Sequence, residues 1–370
     1  MSAPRRTKVG VIGCGNISAV YLQSGQKFRN LEIVACADID LERAKARAAE
    51  FKIPRACSVA ELLSASDVEI LVNLTIPQAH AEVSLQGLEA GKHVYGEKPL
   101  AINRADGQKV VKFAKSKNLR VGCAPDTFLG AGLQTCRKLI DDGWIGEPIG
   151  ATAFMASHGP ENWHPDATFV YQQGAGPLFD MGPYYLTALA FLIGPIQRVS
   201  CSARATFPER TITSQPKYGT KIKVNTPTHV AGTLEFKTGA IATIMMSFDV
   251  WAAELPRIEI YGTAGSMSVP DPNTFGGPVR IKREGAKDWS EVPLTHGYAE
   301  NSRGLGLADM AQAIVSNRPH RASDELSVHV LDAMASLLEA SEQKKYIELA
   351  TTCVKPKPLP LGLLSGEIDA

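Results

Sequence analysis

The chain has no apolar run long enough to cross a bilayer as a helix, and it has no excess of either charge, with 39 Lys and Arg against 38 Asp and Glu. The first absence argues against a membrane-spanning protein. The second argues against nucleic acid as the principal partner, because a phosphate backbone calls for a basic surface. Cysteine is sparse: seven residues, an odd number, are scattered without metal-ligand spacing. That usage suits reduced thiols in the cytoplasm and assigns no metal. The first apolar strand begins by Lys8, which leaves no room before it for the apolar core of a signal peptide, and Arg5-Arg6 is not read as a twin-arginine signal. What is present is enough apolar material, 44% of 370 residues, to fill more than one core, and a chain of this length is expected to divide into two domains.

The strand Lys8-Val9-Gly10-Val11-Ile12 runs directly into Gly13-Cys14-Gly15-Asn16-Ile17-Ser18, a G-x-G-x-x-S sequence. Gly13 permits a tight strand-to-helix turn, and Gly15 lets the backbone approach a pyrophosphate seated on the helix N-terminus. Ser18 stands where a third small residue is usual. A second apolar strand, Leu31 to Ala37, ends at Asp38. A carboxylate there accepts from the adenosine ribose hydroxyls and repels a 2′-phosphate, so NAD is favoured over NADP, with Arg43 close enough in sequence to leave phosphate tolerance open. Further apolar strands, including Ile70 to Leu74 and Lys92 to Tyr95, alternate with helical stretches through to Cys123. This is the βαβ pattern of a doubly wound parallel sheet, a Rossmann domain over residues 1–125. Ligands of such sheets collect at the carboxyl ends of the strands, where Asn73, the loop Thr75-Ile76-Pro77, and the triplet Glu97-Lys98-Pro99 fall. The lysine is the informative residue, since dinucleotide binding alone does not require it.

Together, the glycine loop, Asp38, the segment Thr75-Ile76-Pro77-Gln78-Ala79-His80 and Glu97-Lys98-Pro99 resemble the glucose-fructose oxidoreductase / inositol dehydrogenase / MocA family over nearly the whole chain. The resemblance implies an NAD(P)-dependent oxidoreductase whose cofactor is held by Gly13, Gly15, Asn16, Ile17, Asp38, Asn73, Thr75, Pro77, His80, Glu97 and Lys98. It implies that Lys98 hydrogen-bonds the reacting hydroxyl and that the Lys98-Pro99 bond is cis. Downstream, Gly174 to Tyr185 is similar to the family's G-G-x-L-x-D-x-G-x-H pattern, with Asp180 in place and Tyr184 where the histidine is expected. Oxidising a secondary alcohol requires a proton acceptor and a cation to steady the developing alkoxide. Lys98 supplies the cation. The nearby ammonium is expected to pull the Tyr184 phenol down toward the working range. Tyr184 is therefore the expected acid/base, with Asp180 as its alternate or as a hydrogen-bond partner. Asp180 and Tyr184, four apart, are expected on one helix face, with Pro183 in the first turn.

The loop His158 to Pro165 mixes donors with an aromatic face, and His158, Trp163 and His164 are the first candidates for sugar contacts; Arg303 and His296 are candidates from a later loop. Between about 196 and 293, short β segments separated by turns predict a largely antiparallel open sheet with one face free, in an α+β substrate-binding domain over residues 126–370. Family resemblance implies a homodimer or homotetramer through that sheet, with Ala240 to Phe248 as a candidate interface. The Pro-rich tail from Lys355 reads as an extended arm. These features point to hydride transfer between NAD and a sugar, polyol or cyclitol. The alternatives are an NAD-retaining glycosidase or lyase that uses transient oxidation, and a non-catalytic nucleotide-binding regulator.

Overall fold

The computed structural model describes residues 5–370. Its first half holds six parallel strands: β1 (Thr7–Ile12), β2 (Leu31–Ala37), β3 (Arg55–Cys57), β4 (Ile70–Asn73), β5 (His93–Gly96) and β6 (Val121–Cys123). They alternate with helices α1 (Ser18–Lys27), α2 (Leu41–Phe51), α3 (Val59–Ser64), α4 (His80–Glu89) and α5 (Arg104–Ser116). The spatial order is β3-β2-β1-β4-β5-β6. The order reverses between β1 and β4, so the crevice for a dinucleotide opens there. Val9, Val11, Ile70, Leu71 and Val72 are fully buried because helices cover both faces of the sheet. Local signals set the helix starts: Asp40 caps α2, Ser58 and Glu61 form a capping box on α3, and Asn103 caps α5.

The second half begins with α6 (Ala131–Asp141), β7 (Pro148–Ala156), α7 (Gly176–Asp180), α8 (Gly182–Leu192), β8 (Ile196–Arg204) and a small hairpin, β9 (Glu209–Thr211) with β10 (Lys221–Lys223). It continues through β11 (His229–Phe236), β12 (Ile241–Ser247), β13 (Ile258–Gly262), β14 (Gly265–Val269), β15 (Val279–Arg283), β16 (Ser290–Val292), α9 (Leu305–Val315), α10 (Asp324–Gln343) and β17 (Ile347–Glu348). Nine of these strands form one sheet in the order β16-β15-β14-β13-β7-β12-β11-β8-β17. The sheet is antiparallel except where β12 pairs with β7. The central strand of the sheet is β7. The cause is its alternation: Ala151, Ala153 and Met155 are buried, while Thr152 and Phe154 point to the opposite, partly exposed face with Thr243 and Met245.

Asp180 and Tyr184, expected on one helix face, lie on two successive helices with a break at Met181. Pro183 sits in the first turn of α8, as its missing N–H predicts. The two halves of the molecule are joined by buried polar contacts. Arg104 on α5 reaches Asp332 (2.6 Å), Ser336 (2.8 Å) and Glu339 (3.1 Å) on α10. The Cys123 amide at the end of β6 donates to the Ala322 carbonyl.

The C-terminal tail is not a free arm. Its backbone receives the Arg137 and Arg321 guanidiniums at Pro356, Lys357 and Pro358, and Leu359 N donates to Gln134 Oε1. Farther on, Glu367 pairs with Arg29 of the Rossmann half at 2.6 Å, and Asp369 pairs with Arg321 at 2.7 Å. Fully buried Asp309 completes this knot by holding Arg318 (2.9 Å) and Arg321 (2.5 Å). Asp309→Ala leaves two guanidiniums short of their buried partner, so unfolding free energy is expected to fall by about 3–5 kcal/mol in urea titrations. A loss below about 1 kcal/mol would mean that the network contributes little.

Candidate active site

The glycine loop has the shape that a dinucleotide needs. Gly13 has φ +101°, and a Cβ there would lie 2.5 Å from the Leu74 carbonyl oxygen, so only glycine fits. A Cβ on Gly15 would meet nothing within 4 Å, which leaves open space above the loop. Gly15, Asn16 and Ile17 are exposed, and no side chain caps α1. The amide of Ser18 turns back to the Gly15 carbonyl, whereas those of Gly15, Asn16 and Ile17 have no partner among the described residues and are free to meet a pyrophosphate. Ser18 is buried, and its hydroxyl donates to the Gly15 carbonyl at 2.6 Å, which makes it part of the turn. Asp38 is also buried. Its Oδ2 accepts from Cys14 N (2.8 Å), its Oδ1 accepts from Asp40 N (2.9 Å), and Arg43 lies 3.5 Å from Oδ1. The carboxylate thus braces the loop at the carboxyl end of β2.

Asn73 and His80, expected to touch the cofactor, spend their polar atoms on the protein. Asn73 Nδ2 donates to the His80 carbonyl and to Ser84 Oγ, and Oδ1 accepts from both N and Oγ1 of Thr75. The ring nitrogens of His80 lie 2.7 Å from the Pro99 carbonyl and 3.0 Å from the Thr75 carbonyl. Burial lowers the pKa of this imidazole, and a neutral ring donates to only one of the two. Both residues are buried braces that hold the loop Thr75 to Pro77 against the lysine turn, and Thr75 and Pro77 remain at its partly exposed surface. Glu97 is fixed likewise, with Oε1 accepting from Tyr21 and Oε2 from the amide of Lys98.

The Lys98-Pro99 bond is cis. Lys98 Nζ donates to Asp180 Oδ1 and to the Asp180 carbonyl, each at 2.7 Å. The break at Met181 makes the second contact available: Tyr184 N bonds to the Met181 carbonyl, so the Asp180 carbonyl has no helical partner. Nζ lies 5.2 Å from the centroid of the Tyr184 ring. The lysine side chain is 16% exposed and Asp180 35%, so the group sits in a cleft with one open side. Although burial opposes the charge, Asp180 and Tyr184 raise the lysine pKa above its ordinary value, and it stays an ammonium at neutral pH.

Tyr184 departs from expectation. Burial outweighs the lowering by Lys98 and Arg303, and its pKa is raised from 10 rather than pulled down. The phenol is therefore neutral at working pH. Arg303 does reach this region: its guanidinium is near enough to the phenol to favour ionisation, and it is held by Asn273 Oδ1 at 2.7 Å. His296 does not. Its ring nitrogens lie against Thr295 Oγ1 and the carbonyl of Leu359 in the tail.

The proposed sugar rim forms a separate cluster. His158 stacks on Trp251 with centroids 3.4 Å apart, and Trp163, 69% exposed, meets His164 edge-on. His164 Nδ1 accepts from the Asp166 amide. Among the hydrogen bonds, ion pairs and ring contacts of the described residues, none links these three to Lys98, Asp180 or Tyr184. Buried Arg210 explains the placement, because it binds Glu161, Asp249 and the His158 carbonyl, pinning the loop to β9 and to the end of β12.

A comparison of the whole chain with known proteins gives this geometry its family. The pattern of the GFO/IDH/MocA oxidoreductase family, NAD-binding Rossmann fold, matches residues 7–124, and that of the GFO/IDH/MocA C-terminal domain matches residues 133–268. Trans-1,2-dihydrobenzene-1,2-diol dehydrogenase of Bos taurus is 30% identical over 310 residues, covering 82% of this chain and 86% of that protein. The chain belongs to the GFO/IDH/MocA oxidoreductase family. Its N-terminal half is thus an NAD-binding fold. 1,5-Anhydro-D-fructose reductase of Ensifer adhaerens is 26% identical over 348 residues, covering 92% of this chain and 98% of that one. The structure of levoglucosan dehydrogenase in complex with NADH superposes with a TM-score of 0.78 at 19% identity, covering 94% and 100% of the two chains, a likeness of fold.

One buried acid beneath the site had no sequence signal. Asp126 Oδ2 accepts from the amides of Gly304 and Gly306, each at 2.9 Å, anchoring the loop that carries Arg303. Burial raises its pKa from 3.8 to about 6. Because the folded state favours the neutral form, the stability this carboxyl contributes is fully present below 3.8 and is lost as pH rises through about 6. The loss is on the order of 3 kcal/mol. Asp126→Asn keeps the accepting oxygen and removes the titration. Urea unfolding at pH 4, 5.5 and 7 is expected to show that component in the wild type and not in the variant, whereas matching slopes would mean that Asp126 titrates normally.

Proposed function

We propose that this protein is an NAD-dependent dehydrogenase acting on a secondary alcohol of a sugar, polyol or cyclitol. The observation that carries the reading is the Lys98 ammonium, held by Oδ1 and the backbone carbonyl of Asp180 and set against a neutral phenol. A nucleotide-binding regulator has no use for such an arrangement. The relatives named as a sugar reductase and a diol dehydrogenase support the substrate class. Bound NAD supplies the acceptor for the hydride leaving the carbinol carbon. The amides of Gly15, Asn16 and Ile17, with Thr75 and Pro77 on the opposite lip, are the groups placed to hold it. Asp38 selects against a 2′-phosphate, and its pairing with Arg43 occupies the cation that would otherwise welcome one.

With two N–H bonds committed to Asp180, the remaining Lys98 donor holds the substrate hydroxyl and stabilises its developing negative charge. Asp180 Oδ2 has no hydrogen-bond partner among the described residues and belongs to a partly exposed side chain, so Asp180 is the proton acceptor. Tyr184, kept protonated by burial, donates a hydrogen bond to the same oxygen, and when the reaction runs toward the alcohol the protonated Asp180 returns the proton. The reading is tested by NAD and NADP reduction across aldoses, inositols and polyols. Turnover is expected with NAD, falling by roughly 10²–10³ in Lys98→Ala and in Asp180→Asn, while Tyr184→Phe retains measurable oxidation. Tight nucleotide binding without reduction of any panel member would exclude the dehydrogenase.

The open face of the nine-stranded sheet supports a homodimer or homotetramer. Thr152, Phe154, Thr233, Thr243 and Met245 lie side by side on β7, β11 and β12 in register, with few long charged side chains to keep another sheet away. Sedimentation velocity at micromolar concentration is expected to give a dimer or larger species, and a monomer alone would reject this face as an interface.

A further inference from the structure

Arg104, Arg137, Arg210, Arg318 and Arg321 are packed into the body of the protein, and each holds a carboxylate oxygen at 3.1 Å or less. Arg303 differs. Half-buried beside Tyr184, it forms no ion pair among the described residues. Neutral amides hold it instead: Nη2 donates to Asn273 Oδ1 at 2.7 Å and to the Asn273 carbonyl at 3.4 Å, and Nη1 donates to Asn301 Oδ1 at 3.3 Å. The ring of Phe275 lies 6.0 Å from the guanidinium carbon. These partners fix the direction of the fork without neutralising it. Asp126, an acid of the same neighbourhood, directs its Oδ2 to the amides of Gly304 and Gly306.

The loop is braced from several sides. Lys27, at the end of α1, donates to the Asn301 carbonyl (2.6 Å) and to Ser302 Oγ (2.9 Å), and Tyr298 donates to the tail carbonyls of Leu364 and Glu367. A guanidinium held this firmly in a partly desolvated cleft, with Asp126 and Glu97 nearby but no carboxylate of the described residues within ion-pair distance, is matched by an anion brought to it, and its planar fork suits a carboxylate best. Lys98 offers no competing anion site, because Asp180 already balances its charge.

We propose that Arg303 recognises a carboxylate on the substrate, so that the preferred substrate is a polyhydroxy acid, an aldonate or uronate, rather than a neutral sugar. This assignment rests on the dehydrogenase reading for its chemistry: the acid group is bound and unchanged while a carbinol carbon elsewhere on the chain or ring is oxidised. Two observations test it together. The first is steady-state NAD reduction with D-gluconate and D-glucuronate against D-glucitol and D-glucose, for wild type, Arg303→Gln and Arg303→Lys. The second is calorimetric titration of D-gluconate and D-glucuronate into the protein–NADH complex, with NADH affinity measured by fluorescence.

The acids are expected to exceed their neutral counterparts in kcat/KM by roughly 100-fold, the scale of a charge-assisted hydrogen-bond pair. Arg303→Gln is expected to erase that preference through KM, and Arg303→Lys to restore part of it. Arg303-dependent binding of gluconate without any turnover would sustain the carboxylate site and remove the dehydrogenase reading. The proposal is overturned if neutral compounds are used as well as the acids, if neither acid binds or reacts, or if Arg303→Gln weakens NADH itself, which would make the arginine a cofactor contact.

Discussion

The site depends on one ammonium held by both the side chain and the backbone of a single aspartate. Lys98 takes the Asp180 carboxylate and the Asp180 carbonyl at equal distance, and the second is available only because the helix is interrupted at Met181. A continuous helix would have used that carbonyl internally. Gly182 and Pro183 follow the interruption, and Pro183 has no N–H with which to continue the first helix, so local backbone chemistry in the second half determines where the charge of the first half points. The consequences extend to Tyr184, whose phenol is fixed one turn into α8, and to Arg303 beyond it.

Two sheets contribute to this centre in different ways. The parallel sheet brings the glycine loop, Asn73 and the lysine turn to one edge, and the buried polar atoms of Asn73 and His80 tie those loops to one another. The nine-stranded sheet contributes no member of the triad from its strands; it is a platform under α7 and α8. That separation accounts for how chemistry is kept in the helices and loops while one face of the sheet stays open.

Much of the Rossmann half was legible because its signals are local: an apolar strand, a glycine turn and a helix follow within a dozen residues, and the acid at the end of β2 is fixed by the same period. Lys98, Asp180 and Tyr184 were pointed to by the resemblance to the family's lysine triplet and glycine–aspartate pattern, and the structure brings the three side chains together. What the sequence concealed depends on burial or on distant partners. The charge state of Tyr184 depends on how deeply α8 is packed, which no pattern around residue 184 records. Asp126 meets amides from Gly304 and Gly306, far along the chain, and Arg210 ties the His158 carbonyl to Glu161 and Asp249. The tail was misread for the same reason: prolines signal an extended backbone, but not the arginines that receive its carbonyls.

The path of that tail bears on how ligands enter. It leaves α10, passes along α6, and closes on Arg29 in the nucleotide half and on Arg321 in the other. A chain segment fastened at both ends across two lobes limits the angle through which they can swing apart. A ligand entering the crevice therefore meets two lobes already tethered to one another by the tail.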